Sequence, residues 1–120
     1  MRAILAPLAV LMLTIAASAS DDPAEEFRKA DQALNHTFRE VEKRLTDDAD
    51  GKARLISAQR AWIAFRDAEC TFQSSGDDGG SAAPMVVAAC RTTLTADRTA
   101  QLKAYLNCAE GDLACPVPAN

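Results

Sequence analysis

The chain has little histidine and no closely paired cysteines. His36 is its only histidine, and none of its four cysteines belongs to a Cys-x-x-Cys pair. Zinc sites draw mainly on cysteine and histidine at short spacings, so a zinc site is not expected. Helical spacing places His36 opposite Leu34, and no Ser/His/Asp or Cys/His arrangement can be assembled around it. We predict that the protein is not an enzyme and needs neither a metal nor a cofactor.

Basic residues are in the minority and are not clustered. The sequence has 13 Lys and Arg against 17 Asp and Glu, for a formal net charge of −4. Because binding to nucleic-acid phosphates requires clustered Lys and Arg, a nucleic-acid partner is not expected. An acidic surface favours encounter with a basic macromolecule, although the same charge also keeps an exported protein soluble.

A long apolar run occurs only at the N-terminus. Arg2 precedes the nearly all-apolar residues 3–17, and Ala17-Ser18-Ala19 fits a small-x-small cleavage site. This predicts a signal peptide over residues 1–19 and a single domain over residues 20–120, located in the periplasm or secreted. An uncleaved membrane anchor is the alternative, but the run is short and an acidic segment follows at once. No cysteine lies near the cleavage site, so lipid attachment is not expected either.

No alternating apolar pattern is long enough for a strand, and no internal repeat is present. Apolar residues instead recur at intervals of three and four, which is typical of amphipathic helices. The spacing predicts helices over residues 23–46 and 52–72, and a third that opens at Ser81 or Pro84 and ends near Asn107. Short connections make successive helices antiparallel. The expected fold is a small antiparallel three-helix, all-α domain.

Four cysteines in an exported chain indicate two disulfides, for which the sequence allows three pairings. We favour Cys70 with Cys90 and Cys108 with Cys115, because each pair flanks a plausible turn and closes a short loop.

Polar residues occupy positions where the helical pattern places a core. Gln59 and Arg66 fall in the middle of the apolar stripe of the second helix, Arg98 lies on the inner stripe of the third, and Asp31 borders the inner face of the first. A buried guanidinium is costly unless it is paired, so these residues are expected to form one network that fixes helix register, to which Glu69 or Asp97 could belong. An anion-binding pocket and snorkelling of both arginines to the surface are the alternatives.

Two loops are candidates for binding a partner. The first spans residues 73–81 and offers Gln73, Ser74, Ser75, Asp77 and Asp78; the second is the cysteine-bracketed stretch 108–115. Constrained loops bind well because they lose less entropy on ordering, but polar residues also accumulate in loops that have no function.

Asp48-Ala49-Asp50-Gly51 resembles a fragment of a calcium-binding loop. An EF-hand register would need an acid at position 46 and a glutamate at position 57, where this chain has Thr46 and Ser57. The stretch is better interpreted as a helix stop and turn.

Three segments together resemble the LprI-type lysozyme-inhibitor N-terminal domain family: Ala30-Asp31-Gln32-Ala33-Leu34-Asn35, Gln59-Arg60-Ala61-Trp62-Ile63-Ala64-Phe65-Arg66-Asp67-Ala68-Glu69-Cys70, and Cys90-Arg91-Thr92-Thr93-Leu94-Thr95-Ala96-Asp97-Arg98. Phe38 and Phe65 stand where a tyrosine is common in that family, and the second cysteine pair is an addition. The resemblance implies a small helical protein of the cell envelope or periplasm that inhibits lysozyme. The shared residues are Asp31, Gln59, Trp62, Arg66 and Arg98, all inward, so the shared motif describes a scaffold.

The resulting hypothesis is a binding protein that inhibits a lysozyme-type muramidase, with a basic lysozyme as its partner. The alternative is a structural or assembly partner in the cell envelope without lysozyme activity. An exposed apolar patch involving Phe65, Val86 or Leu106 would favour the alternative.

Overall fold

Three long helices follow one another along the chain in a computed structural model that describes residues 22–118. They are α1 (Pro23–Arg44), α2 (Ala49–Gln73) and α3 (Ala83–Leu106), and a one-turn 3-10 helix (Ser75–Asp77) lies between the last two. No strand occurs in the described range, so the prediction of an all-α fold is confirmed. No helix within this range combines the length and the hydrophobicity needed to cross a membrane. The predicted signal peptide lies outside the described residues.

Local sequence signals fix both ends of α1. The Asp22 side chain accepts a hydrogen bond from the Ala24 backbone N–H at 3.2 Å, and Pro23 occupies the first helical position, where its missing N–H costs nothing. At the other end, the basic residues Lys43 and Arg44 complement the negative end of the helix dipole. The helix ends two residues before the predicted Thr46.

The second helix begins three residues earlier than predicted. Asp48 accepts a hydrogen bond from the Gly51 N–H at 2.8 Å and so caps the helix, which starts at Ala49. Gly51 leaves room for that carboxylate, because a Cβ at this position would collide with the Asp48 side chain. The stretch 47–51, interpreted from sequence as a stop and turn, is therefore divided between a short turn and the start of α2.

Contacts between the helices establish their directions. Asp31 early in α1 lies beside Arg66 late in α2, and Gln59 in α2 contacts Arg98 in α3. Both α1–α2 and α2–α3 are thus antiparallel, as predicted, and α1 runs parallel to α3. The central core residues come from α1, α3 and the C-terminal tail: Leu34, Val41, Leu45, Leu102 and Val117. No residue of α2 belongs to this set, although Leu55 and Trp62 pack against it.

Two disulfides hold the ends of the fold. Cys70 is joined to Cys90, with Cα atoms 5.5 Å apart, and Cys108 to Cys115, with Cα atoms 6.0 Å apart. The predicted pairing is confirmed. The first bridge ties the end of α2 to the start of α3, and the second turns the chain after α3 back toward the core.

Candidate functional site

Arg66 is only 7 % exposed and lies at the junction of the three helices. Its Nε donates to Asp67 Oδ1 at 3.0 Å, and its Nη1 lies 3.7 Å from Asp31 Oδ1 in α1. The same Nη1 donates to Thr95 Oγ1 in α3 at 3.4 Å. We call these four residues the Arg66 cluster. Two carboxylates compensate this buried charge, and both are partly open to solvent, which lowers the cost of keeping them ionised.

Aromatic rings cover the Arg66 guanidinium. Its Cζ lies 5.1 Å from the centroid of Phe27 and 5.3 Å from that of Trp62, both within the range of cation–π attraction. Arg91 adds a further contact, since its Cζ lies 5.8 Å from the Phe27 centroid and its Nε 3.2 Å from Asp67 Oδ1. Phe27 and Asp67 were not among the residues predicted from the sequence to form this cluster. The available signals were that Phe27 precedes Asp31 by one helical turn and that Asp67 adjoins Arg66.

Arg98 is as buried as Arg66, at 8 % exposed, but its surroundings differ. Its Nε donates to Gln59 Oε1 at 3.0 Å, and its Nη1 donates to Gln101 Oε1 one turn further along α3. Both acceptors are neutral amides. The Arg98 guanidinium has no carboxylate within 4.0 Å among residues 22–118.

The inward polar residues therefore lie in two separate clusters. Asp31 and Trp62 accompany Arg66, whereas Gln59 accompanies Arg98. Neither Glu69 nor Asp97 makes an ion pair with these two arginines; Glu69 instead accepts from Gln73 at 3.3 Å. Neither arginine side chain extends to the surface.

A groove of about 600 Å³ opens between the end of α1, the first half of α2, the last half of α3 and the C-terminal tail. We call it the tail groove. Its apolar wall is formed chiefly by Val41, Leu45, Leu55, Tyr105 and Val117. Its polar residues are Asp48, Asp50, Arg54 and Arg98. The groove could not be predicted from the sequence, because the tail that closes one side of it has no periodic pattern.

The loop between α2 and α3 presents four of its five predicted binding residues to solvent. Gln73, Ser75, Asp77 and Asp78 are exposed. Ser74 is only 3 % exposed, and its Oγ donates to Thr71 O at 3.1 Å, so it ends α2 instead of facing a partner.

Backbone hydrogen bonds order this loop. Asp77 N–H donates to Ser74 O at 2.9 Å, and Gly80 N–H donates to Asp77 O at 2.8 Å. Gly79 adopts φ +75°, a conformation that suits glycine. The Cys70–Cys90 bridge anchors the base of the loop. The segment is thus an ordered turn that carries two carboxylates, Asp77 and Asp78.

The C-terminal loop within residues 108–115 is exposed at Glu110, Asp112 and Leu113. Asp112 Oδ1 accepts from Ala114 N–H at 2.9 Å, and Gly111 adopts φ +81°, so this loop is also shaped by local bonds. Within residues 22–118, no three His, Cys, Asp or Glu side chains are grouped so that they could hold a metal ion.

Aromatic residues are exposed on α2. Phe65 is 56 % exposed and Phe72 is 72 % exposed, and a spacing of seven residues puts both on the same side of the helix. Of the apolar residues considered from sequence, Val86 and Leu106 are only half-buried. Phe72 was missed because it lies at the end of the predicted second helix.

Comparison with known proteins identifies one family. A family model described as lysozyme inhibitor LprI matches residues 15–102, which include both arginine clusters and the loop between α2 and α3. The chain is also 39 % identical to an uncharacterised protein of Rhizobium meliloti (strain 1021), over 72 % of this chain and 70 % of that protein. No solved structure matches the chain.

Proposed function

The chain belongs to the LprI family of lysozyme inhibitors, and from this membership we propose that it binds and inhibits a lysozyme-type muramidase. The observation that carries the proposal is the family match over residues 15–102. The protein acts by binding and not by catalysis, in keeping with the description of its family as inhibitors.

We place this activity in the periplasm or outside the cell. All four cysteines are in disulfides, a state that persists in oxidising compartments. The N-terminal run of residues 3–17 supplies the features of an export signal. Both observations support an exported protein, which is where a secreted muramidase would be met.

Charge supports a basic partner. The whole chain has a formal net charge of −4, whereas lysozymes of the c-type are strongly basic. Opposite net charges accelerate encounter and contribute more to the association rate than to the lifetime of the complex.

The loop between α2 and α3 is the proposed contact surface. Gln73 and Ser75 are exposed donors that can bond carboxylates in a sugar-binding cleft, while Asp77 and Asp78 pair with basic residues at its rim. The 3-10 turn and the disulfide hold the loop before binding, so little conformational entropy is lost on association.

The test is calorimetric titration of the oxidised domain into c-type lysozyme, paired with a cell-wall lysis assay. We expect binding that weakens at high salt and that blocks lysis. The double variant Asp77→Asn, Asp78→Asn should weaken binding about tenfold, mainly through a slower association rate.

A matched control removes two charges elsewhere. Asp97→Asn combined with Glu110→Gln changes two exposed acids that make no ion pair within the described residues, so its affinity should fall much less. Equal losses in the two variants would leave net charge as the determinant and remove the loop from the mechanism. Absence of binding to every lysozyme type would reject the inhibitor function itself.

A second candidate is an assembly partner in the cell envelope. The exposed pair Phe65 and Phe72 favours it, because solvent-facing aromatics on one side of a helix are typical of a protein contact surface. Two results together would support this function: the wild-type protein does not bind lysozyme, and the double variant Phe65→Ser, Phe72→Ser no longer co-purifies with a specific envelope protein that the wild type retains. An unchanged co-purification pattern would reject it.

A further inference from the structure

The two buried arginines differ in how their charge is compensated. Arg66 lies near two carboxylates, at 3.0 and 3.7 Å, whereas the described partners of Arg98 are the amide oxygens of Gln59 and Gln101. A buried cation bonded only to neutral groups keeps an uncompensated charge, which is unfavourable unless an anion reaches it. Arg98 Nη2 makes no hydrogen bond within the described residues, and the side chain borders the tail groove.

The acids that border the tail groove lie away from Arg98. Gln59 contacts Arg98 and so shows which part of α2 lies beside that arginine. Asp50 lies nine residues before Gln59, about 13 Å away along the helix axis. Asp48, still further away, is committed to capping α2 through the Gly51 N–H. Apolar side chains of the groove, including Leu55 and Val41, lie along this interval. Arg54, one helical turn after Asp50, is exposed and also borders the groove. The groove therefore has a buried cation at one end, an apolar middle and a mouth whose side chains carry both signs of charge.

From this polarity we infer that the tail groove binds an aliphatic carboxylate, with its carboxylate on Arg98 and its hydrocarbon chain along Leu55, Tyr105 and Val117. A carboxylate offers two oxygens to a guanidinium and forms charge-assisted hydrogen bonds with it. The volume of about 600 Å³ lies within the range of small-molecule sites, which are mostly apolar with a few placed polar groups.

The site is separate from the proposed lysozyme contact. The loop between α2 and α3 follows the C-terminal end of α2, whereas the groove involves the N-terminal half of that helix. A failure of the ligand experiment therefore says nothing about lysozyme inhibition, and the converse also holds.

The test is calorimetric titration of the oxidised protein with decanoate below its micelle concentration. Decanol supplies the chain without the charge, and acetate supplies the charge without the chain. We expect decanoate to bind at least about tenfold more tightly than either, the factor typical of one charge-assisted hydrogen-bonded contact. Equal binding of decanol would overturn the inference, since the groove would then accept any apolar occupant, such as a partner's side chains.

Two variants examine the two ends of the ligand. Arg98→Met should weaken decanoate binding about tenfold and leave decanol unaffected, because only the charged contact is lost. Ala58→Phe should block the groove for both ligands, since Ala58 is exposed and lines it. Ala61→Phe is the matched control, an exposed alanine of the same helix outside the groove.

The blocking variant also keeps the inference testable if Arg98→Met fails to fold. Ala58→Phe should retain wild-type lysis inhibition while losing decanoate. Decanoate binding that survives in Ala58→Phe, or that is undetectable in the wild type, would contradict the inference.

Discussion

Arg66 connects all three helices through one guanidinium. It lies beside Asp31 and Phe27 of α1 and Thr95 of α3, while its own helix supplies Asp67 and Trp62. These contacts act at defined positions along each helix, so sliding one helix by a turn would break them all. We propose that the Arg66 cluster fixes the register of the three helices.

Arg66→Met should lower the free energy of unfolding by about 1 to 2 kcal/mol, since the ion pairs and ring contacts are lost but the two carboxylates left behind are partly hydrated. Urea denaturation measures the effect. Arg60→Met is the control, an exposed arginine of the same helix that makes no ion pair within residues 22–118. If both variants unfold at the wild-type urea concentration, the cluster does not fix register.

The sequence did not indicate which polar residue contacts Arg66 and which contacts Arg98. Helical spacing put Asp31, Gln59, Arg66 and Arg98 on inward faces, because the period of an α-helix is a local property. Pairing Asp31 with Arg66 and Gln59 with Arg98 depends on how the helices are staggered, which long-range packing determines. The lack of a carboxylate within 4.0 Å of Arg98 among residues 22–118 depends on the same stagger, so it could not be predicted either.

At the scale of elements, α2 is the helix whose start differed most from the prediction. The helix starts at Ala49, because Asp48 caps it there. The sequence predicted a start at Lys52, because the Asp-rich stretch before that residue is typical of a turn. Its apolar residues also surround the helix, with Trp62 turned inward and Ile63 and Phe65 exposed. The side that the sequence placed inward nevertheless carries the buried residues of this helix, Gln59, Arg66 and Cys70.

The C-terminal tail is a structural element of the core, although it has no regular secondary structure. The Cys108–Cys115 bridge reverses the chain after α3, Val117 is buried against the core, and Arg44 Nη1 donates to Pro118 O at 3.4 Å. The bridge thereby positions one wall of the tail groove.

Replacing Cys108 and Cys115 together by serine should lower the free energy of unfolding by about 2.5 kcal/mol, the chain-entropy value for so short a loop. Chemical denaturation of the oxidised protein measures this. The comparison is Cys70→Ser with Cys90→Ser, for which the longer loop predicts about 3 kcal/mol. A tail variant as stable as the wild type would show that Val117 holds the tail without the bridge.

At the scale of the whole molecule, α1, α3 and the C-terminal tail supply the central core residues. The second helix, α2, packs against them in the antiparallel direction. The fully buried large side chains Leu34, Val41 and Leu102 come from α1 and α3. The buried residues of α2 are Gln59, Arg66 and Cys70, and none of them lies in residues 49–58 at its start. Residues 49–58 of α2 thus border the tail groove, and Leu55 is the side chain among them that packs against the core.

This arrangement predicts uneven protection of backbone amides. Exchange with deuterium should be faster in residues 52–58 of α2 than in residues 34–41 of α1 or 95–102 of α3, because few buried apolar contacts hold that half of the helix. Residues 66–70 of α2 serve as an internal control and should exchange slowly, since they contain the buried Arg66 and Cys70. Uniform protection along α2 would show that it is fully integrated into the core.

The sequence by itself determined the all-α class, the order of the helices and the resemblance to the LprI family, and it favoured the disulfide pairing that the structure contains. These features depend on local periodicity, on cysteines that flank turns, and on a motif spread over three helices. Only the tertiary structure decided that the inward polar residues form two clusters, that Ser74 is buried, and that a groove lies beside Arg98. Those features depend on the stagger of helices and on the path of a tail without periodicity, and neither is encoded within a single segment.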